Sequence, residues 1–324
     1  MRRVRFVFLA LAAAAAVALG LLVGAAGSGP RALVRALGDR SSTEAAILFD
    51  LRLPRVLLAF AVGAGLGLSG ASLQALVRNP LADPYLLGLS GGAGLGAVLA
   101  IAAAGGQAWA VPLAAFIGAL GAVGLVYRLS VVGGRRLDPR VLLLAGVVVG
   151  AFASAIMSAI ITLAPEAQLR NAFLWLLGGF GAASWQSLMI YAVYAVLPSC
   201  LLVLHARQLD LLALGEEPAQ FLGGEIERTK RVVYFAASLL TAAGVAVSGI
   251  IGFVGLVVPH AMRRMVGPLH GGLLPAVALA SGSFLVIADA LARSAVAPLE
   301  LPVGVVTALV GVPLFALLLR RTLR

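Results

Sequence analysis

The stretch Val56–Val77, VLLAFAVGAGLGLSGASLQALV, carries no charged residue from one end to the other. Two readings compete for it. As letters, Gly65-x-Gly67-x-x-Gly70 matches a dinucleotide-binding fingerprint. That fingerprint needs a strand before it and a surrounding βαβ unit, and no strand pattern precedes it here. As an apolar segment, it meets the requirement of about 20 residues for crossing a bilayer. Gly63, Gly65, Gly67 and Gly70 then act as small residues that let neighbouring helices approach closely. The membrane reading is adopted, and Gly88, Gly91, Gly92, Gly94 and Gly96 are read the same way.

The remainder of the chain agrees. Of its 324 residues 61% are hydrophobic and 11% charged, with mean hydropathy +1.06. Soluble domains run at about 45–50% and about 25%. This balance argues against a cytosolic enzyme and against disorder. Ten apolar blocks qualify as spans: Phe6–Ala26, Val56–Val77, Tyr85–Ala104, Trp109–Leu129, Val141–Leu163, Trp185–Leu204, Val232–Ile250, Gly252–Met262, Leu273–Leu291 and Val303–Leu319. The eighth is short. Gly249, Gly252 and Gly255 crowd its start and Pro259 its end, which predicts a broken helix covered by protein or lining a cavity. The first block follows Arg2, Arg3 and Arg5 like a secretory signal, but its apolar run exceeds the usual signal core of about 7–15 residues. It is read as a retained helix.

The net charge is +11. The basic residues sit between apolar blocks rather than along one face, which favours membrane over nucleic acid. With the N-terminus placed in the cytoplasm, seven of the 24 Lys and Arg residues fall outside: Arg31, Arg35, Arg40, Arg52, Arg55, Arg170 and Arg293. The other seventeen fall inside, so the positive-inside rule puts both termini in the cytoplasm and predicts an even number of spans. The longest polar segments are 28–55, outside, where an amphipathic helix is expected at the interface, and 206–231, inside.

Few residues carry chemistry. Cys200 is the single cysteine, so no disulfide forms within the chain, and His205, His260 and His270 lack metal-ligand spacing. No Gly-Lys-Ser/Thr occurs, so any ATP used is bound by another subunit. Asp289 is the one clear charge within a span, and Arg293 stands at i+4, in reach of an ion pair on the same face. Such a pair serves structure or function equally well. An ion-coupled transporter would show more buried carboxylates; a membrane enzyme would show clustered carboxylates, histidines or a nucleophile. A secondary transporter or channel acting alone remains the alternative. Arg78-Asn79-Pro80-Leu81-Ala82-Asp83-Pro84 makes a stiff inner turn. The inner loop Leu211–Gly224 reads as two short helices broken at Gly215–Pro218 and stopped by Gly223-Gly224. Its apolar residues either dock a partner or pack back on the bundle.

Several motifs in one order resemble the permease subunits of type II ABC importers for iron-siderophore, haem and cobalamin, the FecCD type. They are Leu51-Arg52-Leu53-Pro54-Arg55, Ser69 to Gln74, Arg78 to Pro84, Leu214-Gly215-Glu216-Glu217, Gly252 to His260 and Glu300 to Ala308. The resemblance implies an all-α polytopic fold of about ten transmembrane helices, with residues 1–324 as a single permease domain in the bacterial inner membrane. It implies a homodimer, two cytoplasmic ATPase subunits that bind ATP and Mg, and a periplasmic or lipid-anchored substrate-binding protein. This chain then binds no cofactor or metal and has no catalytic residue. By the same resemblance, Leu214, Gly215, Glu216, Glu217, Ala219, Leu222 and Gly223 belong to the loop that couples to the ATPase. Arg52, Arg55 and Arg293 dock the binding protein, and Asn79 and Leu81 narrow the cytoplasmic mouth of the pathway. Trp175 to Gly181 is closer to the cobalamin members. The pathway is expected at the dimer axis, along the fifth and tenth spans and the 166–181 segment.

Overall fold

The computed structural model describes residues 2–24, 29–104, 107, 109–132 and 136–322. Arg135 and Arg324 of the arginine count lie outside the described residues, as do positions 25–26 of the first block and position 28 of the outer segment. The helices follow in the order α1 (Arg2–Leu22), α2 (Pro30–Gly38), α3 (Thr43–Ala46), α4 (Leu53–Leu76), α5 (Leu89–Ala104), α6 (Ala110–Ser130), α7 (Pro139–Leu163) and α8 (Glu166–Leu176). Then come α9 (Trp185–Leu204), α10 (Ala206–Ala213), α11 (Glu216–Phe221), α12 (Ile226–Ser248), α13 (Val254–Val266), α14 (His270–Ser294) and α15 (Val303–Thr322). Each of the ten apolar blocks carries a helix among its described residues. Seven helical segments among the described residues are long and apolar enough to cross a membrane; α5 and α15 carry shorter apolar stretches, and α13 has 13 residues. The protein is an all-α, multi-pass membrane protein.

Helix α4 is the centre of the bundle, packed against α14, α12, α13 and α9, while α5 packs on α6 and α7. Close approach comes from the glycines on α4. A Cβ on Gly63 would collide with the backbone of α14 at Ser281, and one on Gly70 with the carbonyl of Gly255. Several polar side chains of the buried helices donate to backbone carbonyls, which have no water to pair with. Ser69 donates to Ala237 O at 3.0 Å, Tyr191 to Ala61 O at 3.2 Å and Tyr234 to Val123 O at 2.8 Å.

Four local features differ from the expectations. The third block begins with a 3-10 turn, Pro84–Leu87, and becomes α-helical only after Gly88, whose φ of 73° requires glycine. Pro259 lies inside α13 rather than at its end. Proline has no N–H for the carbonyl four residues back, that of Gly255; the side-chain amide of Gln74 donates to that oxygen instead, at 3.2 Å. In the inner loop the break falls at Leu214–Gly215, and Pro218 is tolerated within the first turn of α11, where no intrahelical N–H bond is lost. Finally, a small antiparallel hairpin, β1 (Val131–Val132) and β2 (Arg136–Leu137), joins α6 to α7. In the outer segment, α2 presents Arg31 and Arg35 to solvent and buries Ala36.

Replacing Gly70 by alanine is expected to destabilise the protein by about 1–3 kcal/mol or more, the usual cost of overpacking. Gly121→Ala on α6, with nothing within 4 Å of the added methyl, is expected to be neutral or stabilising. Thermal unfolding of the two variants in one detergent checks the pair.

Candidate functional site

Polar residues gather at the two ends of α4. At its N-terminal end, Arg55 lies between two carboxylates. Its Nε and Nη2 donate to Asp289 at 3.0 and 2.9 Å, and its Nη1 and Nη2 to Glu300 at 3.2 and 2.9 Å. The planar guanidinium allows this double engagement. Arg293 Nε pairs with the other oxygen of Asp289 at 3.0 Å, so the i, i+4 pair read from the sequence is present, with Arg55 as a third member. Asp289 is fully buried and Glu300 is 42% exposed at its side chain. Arg293 also donates to Val23 O at 2.8 Å and Gly20 O at 3.0 Å, and Arg52 to Leu21 O at 3.1 Å. These carbonyls end α1 and have no helical donors of their own; two cations there also suit the negative pole of the helix. The three arginines expected at the docking surface are therefore held inside the protein, Arg52 and Arg293 buried and Arg55 half-buried.

Next to this cluster lies a cavity of about 480 Å³ whose lining includes Arg55, Asn171, Trp175, Phe180, Ser248 and Glu300. Part of the 166–181 segment lines it, together with Val303 at the start of α15. Arg170 is exposed and does not line this cavity. The cavity also meets the break between α12 and α13. There Gly249, at φ 67°, turns the chain; Gly179 N–H donates to Ser248 O at 2.7 Å and Ile251 N–H to the Tyr85 hydroxyl at 3.3 Å.

At the C-terminal end of α4 the chain turns through Arg78–Asp83. Asn79 accepts from Leu81 N–H and Asp83 from Tyr85 N–H, each at 2.9 Å, so both side chains are turn-builders; Leu81 is 38% exposed. Burial pushes the Asp83 carboxyl up to about 6, against the lowering effect of the Tyr85 amide. Beside this turn sits the inner loop. Leu209, Leu212 and Ala219 pack against the bundle, whereas Leu214, Leu222 and above all Phe221, 92% exposed, face outward. Packing back on the bundle, one of the two alternatives left open by the sequence, accounts for the first three residues, and the other three are left without cover from the described residues of this chain. Glu216 pairs with Lys230, Glu217 is exposed, and Gly215 (φ 113°) and Gly223 (φ 79°) bracket α11.

Sequence reasoning assigned no role to Gln74, Arg263, Asp210, His270, Lys230 or Glu300. Gln74 accepts a bond from Arg263 and joins α4 to α13; His270 Nδ1 meets Asp210 at 2.6 Å and joins α14 to α10. A lone glutamine within an apolar span was the available signal for the first. Asp210 and His270 are 60 residues apart, beyond any local pattern.

The family model for the FecCD transport family matches residues 11–321. The chain belongs to the FecCD transport family. It is 42% identical over 314 residues to the hemin transport system permease protein HmuU of Yersinia pestis, covering 93% of this chain and 92% of that protein. It is 43% identical to the cobalamin import system permease protein BtuC of Halobacterium salinarum, over 86% of this chain and 74% of that one. A solved structure described as an inward-facing conformation of a metal-chelate type ABC transporter superposes with a TM-score of 0.89 at 32% identity, covering 99% of this chain and all of that one. With the all-α fold above, this makes the FecCD chain a permease subunit of an ABC importer.

Asp289→Asn would leave the buried Arg293 and the half-buried Arg55 without their shared carboxylate, at an expected cost of about 3–5 kcal/mol. Glu300→Gln removes a partly exposed partner and is expected to cost under about 1 kcal/mol. Midpoints of thermal unfolding in detergent rank the two.

Proposed function

We propose that this permease moves a metal chelate of the haem, ferric-siderophore or cobalamin class across the inner membrane into the cytoplasm. It works as a homodimer with two cytoplasmic ATPase subunits, which hold ATP and Mg, and with a substrate-binding protein outside. Both termini face the cytoplasm. This chain contributes no catalytic group; its work is to hold a pathway and to change shape.

The observation that carries this reading is the apolar face of α10 and α11. Leu214, Phe221 and Leu222 stand exposed at one end of a bundle whose other polar cluster borders the cavity. A grip at one end and a cargo space at the other is what a motor-driven carrier needs. ATP binding favours one packing of the helices over the other because the two states differ in affinity for it, and the population shifts accordingly. Leu214, Gly215, Glu216, Glu217, Ala219, Leu222 and Gly223 form or support the grip, and Asn79 and Leu81 flank the inner mouth.

The outer arginines take a more specific role. Glu300 already engages Arg55 through a partly exposed carboxylate. A carboxylate of the binding protein would exchange with it, with Arg52 and Arg293 supplying positive potential behind. The chain's fold match to an inward-facing ABC transporter supports, by similarity, an alternating-access cycle.

Two outcomes test the reading. Phe221→Glu is expected to remove co-purification of the ATPase while leaving the permease folded. Uptake of haem, cobalamin or a ferric siderophore into liposomes is expected to require ATP inside together with the binding protein. Uptake on an ion gradient alone overturns the reading. For docking, Arg55→Gln, which spares the Asp289–Arg293 pair, is expected to weaken binding-protein retention about tenfold or more, the scale of losing one charged interfacial partner.

A further inference from the structure

One of the 24 Lys and Arg residues is a lysine, Lys230, and it is 1% exposed. We propose that Lys230 is the positioning residue of the coupling loop, an ammonium that fastens the start of α11 to α12 and to the β1–β2 hairpin. Three oxygens from three segments converge on its Nζ. It donates to Leu137 O at 3.0 Å and to Glu227 Oε1 at 3.0 Å, and it pairs with Glu216 Oε1 at 2.7 Å. Glu227 completes the clasp: its second oxygen accepts the N–H of the same Leu137 at 2.9 Å. The N–H and the C=O of Leu137, a buried residue, are thus both held by α12.

The chemistry explains why this one position departs from arginine. An ammonium is compact and offers three donors around a single point, matching three oxygens that approach from different directions. A guanidinium spreads its donors in one plane and suits two parallel acceptors, as Arg55 shows with its carboxylates. Burial raises the stakes, because Glu216 and Glu227 share this cation and would otherwise face each other as like charges.

The mechanical consequence follows from connectivity. Glu216 opens α11, directly before the exposed Phe221 and Leu222. Lys230 lies in the first turns of α12, and α12 ends at Ser248, which lines the cavity. The clasp therefore joins the ATPase-facing helix and the cavity wall through one continuous helix. The inference rests on the docking reading of α10 and α11.

Hydrogen exchange on the assembled transporter tests it. In Lys230→Met, amides of residues 216–222 are expected to exchange about tenfold faster or more, since hydrogen bonds to charged groups are the strong ones. ATPase affinity is expected to fall by a similar factor, with α4 and the body of α12 still protected. Lys230→Arg is expected to loosen α11 as well. If Lys230→Met does not fold, Glu216→Gln, which leaves the Lys230–Glu227 pair in place, is measured instead, with the same expectation. Exchange within twofold of the parent protein at 216–222, or equal loosening throughout the bundle, overturns the proposal; parent-like exchange in Lys230→Arg overturns the need for an ammonium. ATPase retention that survives Phe221→Glu counts against the docking reading alone, because the exchange result reads the hold on α11 directly.

Discussion

A carbonyl that has lost its helical donor cannot stay bare in a bundle that excludes water. Pro259 creates such a carbonyl at Gly255, and the side chain of Gln74 covers it. The same amide reaches Leu256 O and Ala82 O at 3.3 and 3.2 Å, so one side chain ties α4 to α13 and to the inner turn. Much of the architecture rests on this crossing. Gly70 is a glycine because α13 must come close enough for Gln74 to reach. The helix α13 can then start abruptly after the break at Gly249–Phe253, and that break gives the cavity one of its walls.

Charge at the two ends of α4 obeys the same accounting. Arg293 and Lys230 are each shared among several acceptors, and the buried Asp289 meets two cations. Arg55 and Lys230 illustrate the two available geometries, a planar fork between two carboxylates and a compact head amid three oxygens. The outer cluster joins α1, α4 and α14, and the inner one joins the hairpin, α11 and α12, so each stands where chain segments distant in sequence must keep a fixed relation.

The sequence showed the helices because lipid imposes length and apolarity on each one separately. Every apolar block, including the short one at Gly252–Met262, carries a helix among its described residues. The glycines of Val56–Val77 were legible for the same reason: a small-residue stripe matters only where another backbone comes close. The site was less legible. Asp289 with Arg293 could be found because four residues is one helical turn. Arg55 with Asp289, Lys230 with Leu137 and Gln74 with Gly255 join positions 234, 93 and 181 residues apart, and no periodicity spans such distances. Arg52, Arg55 and Arg293, expected at a docking surface, are turned inward, because two of them find the unpaired ends of α1 and the third finds buried and surface carboxylates at once.

The capping of α1 has a bearing on how the chain comes to rest during synthesis. Its terminal carbonyls are made before their donors, which arrive from Arg52 and, 270 residues beyond Val23, from Arg293. Until α14 is threaded beside it, that end of α1 must borrow interfacial water. A helix made before its partners is thus locked only once they have arrived, by an arginine drawn from far along the chain.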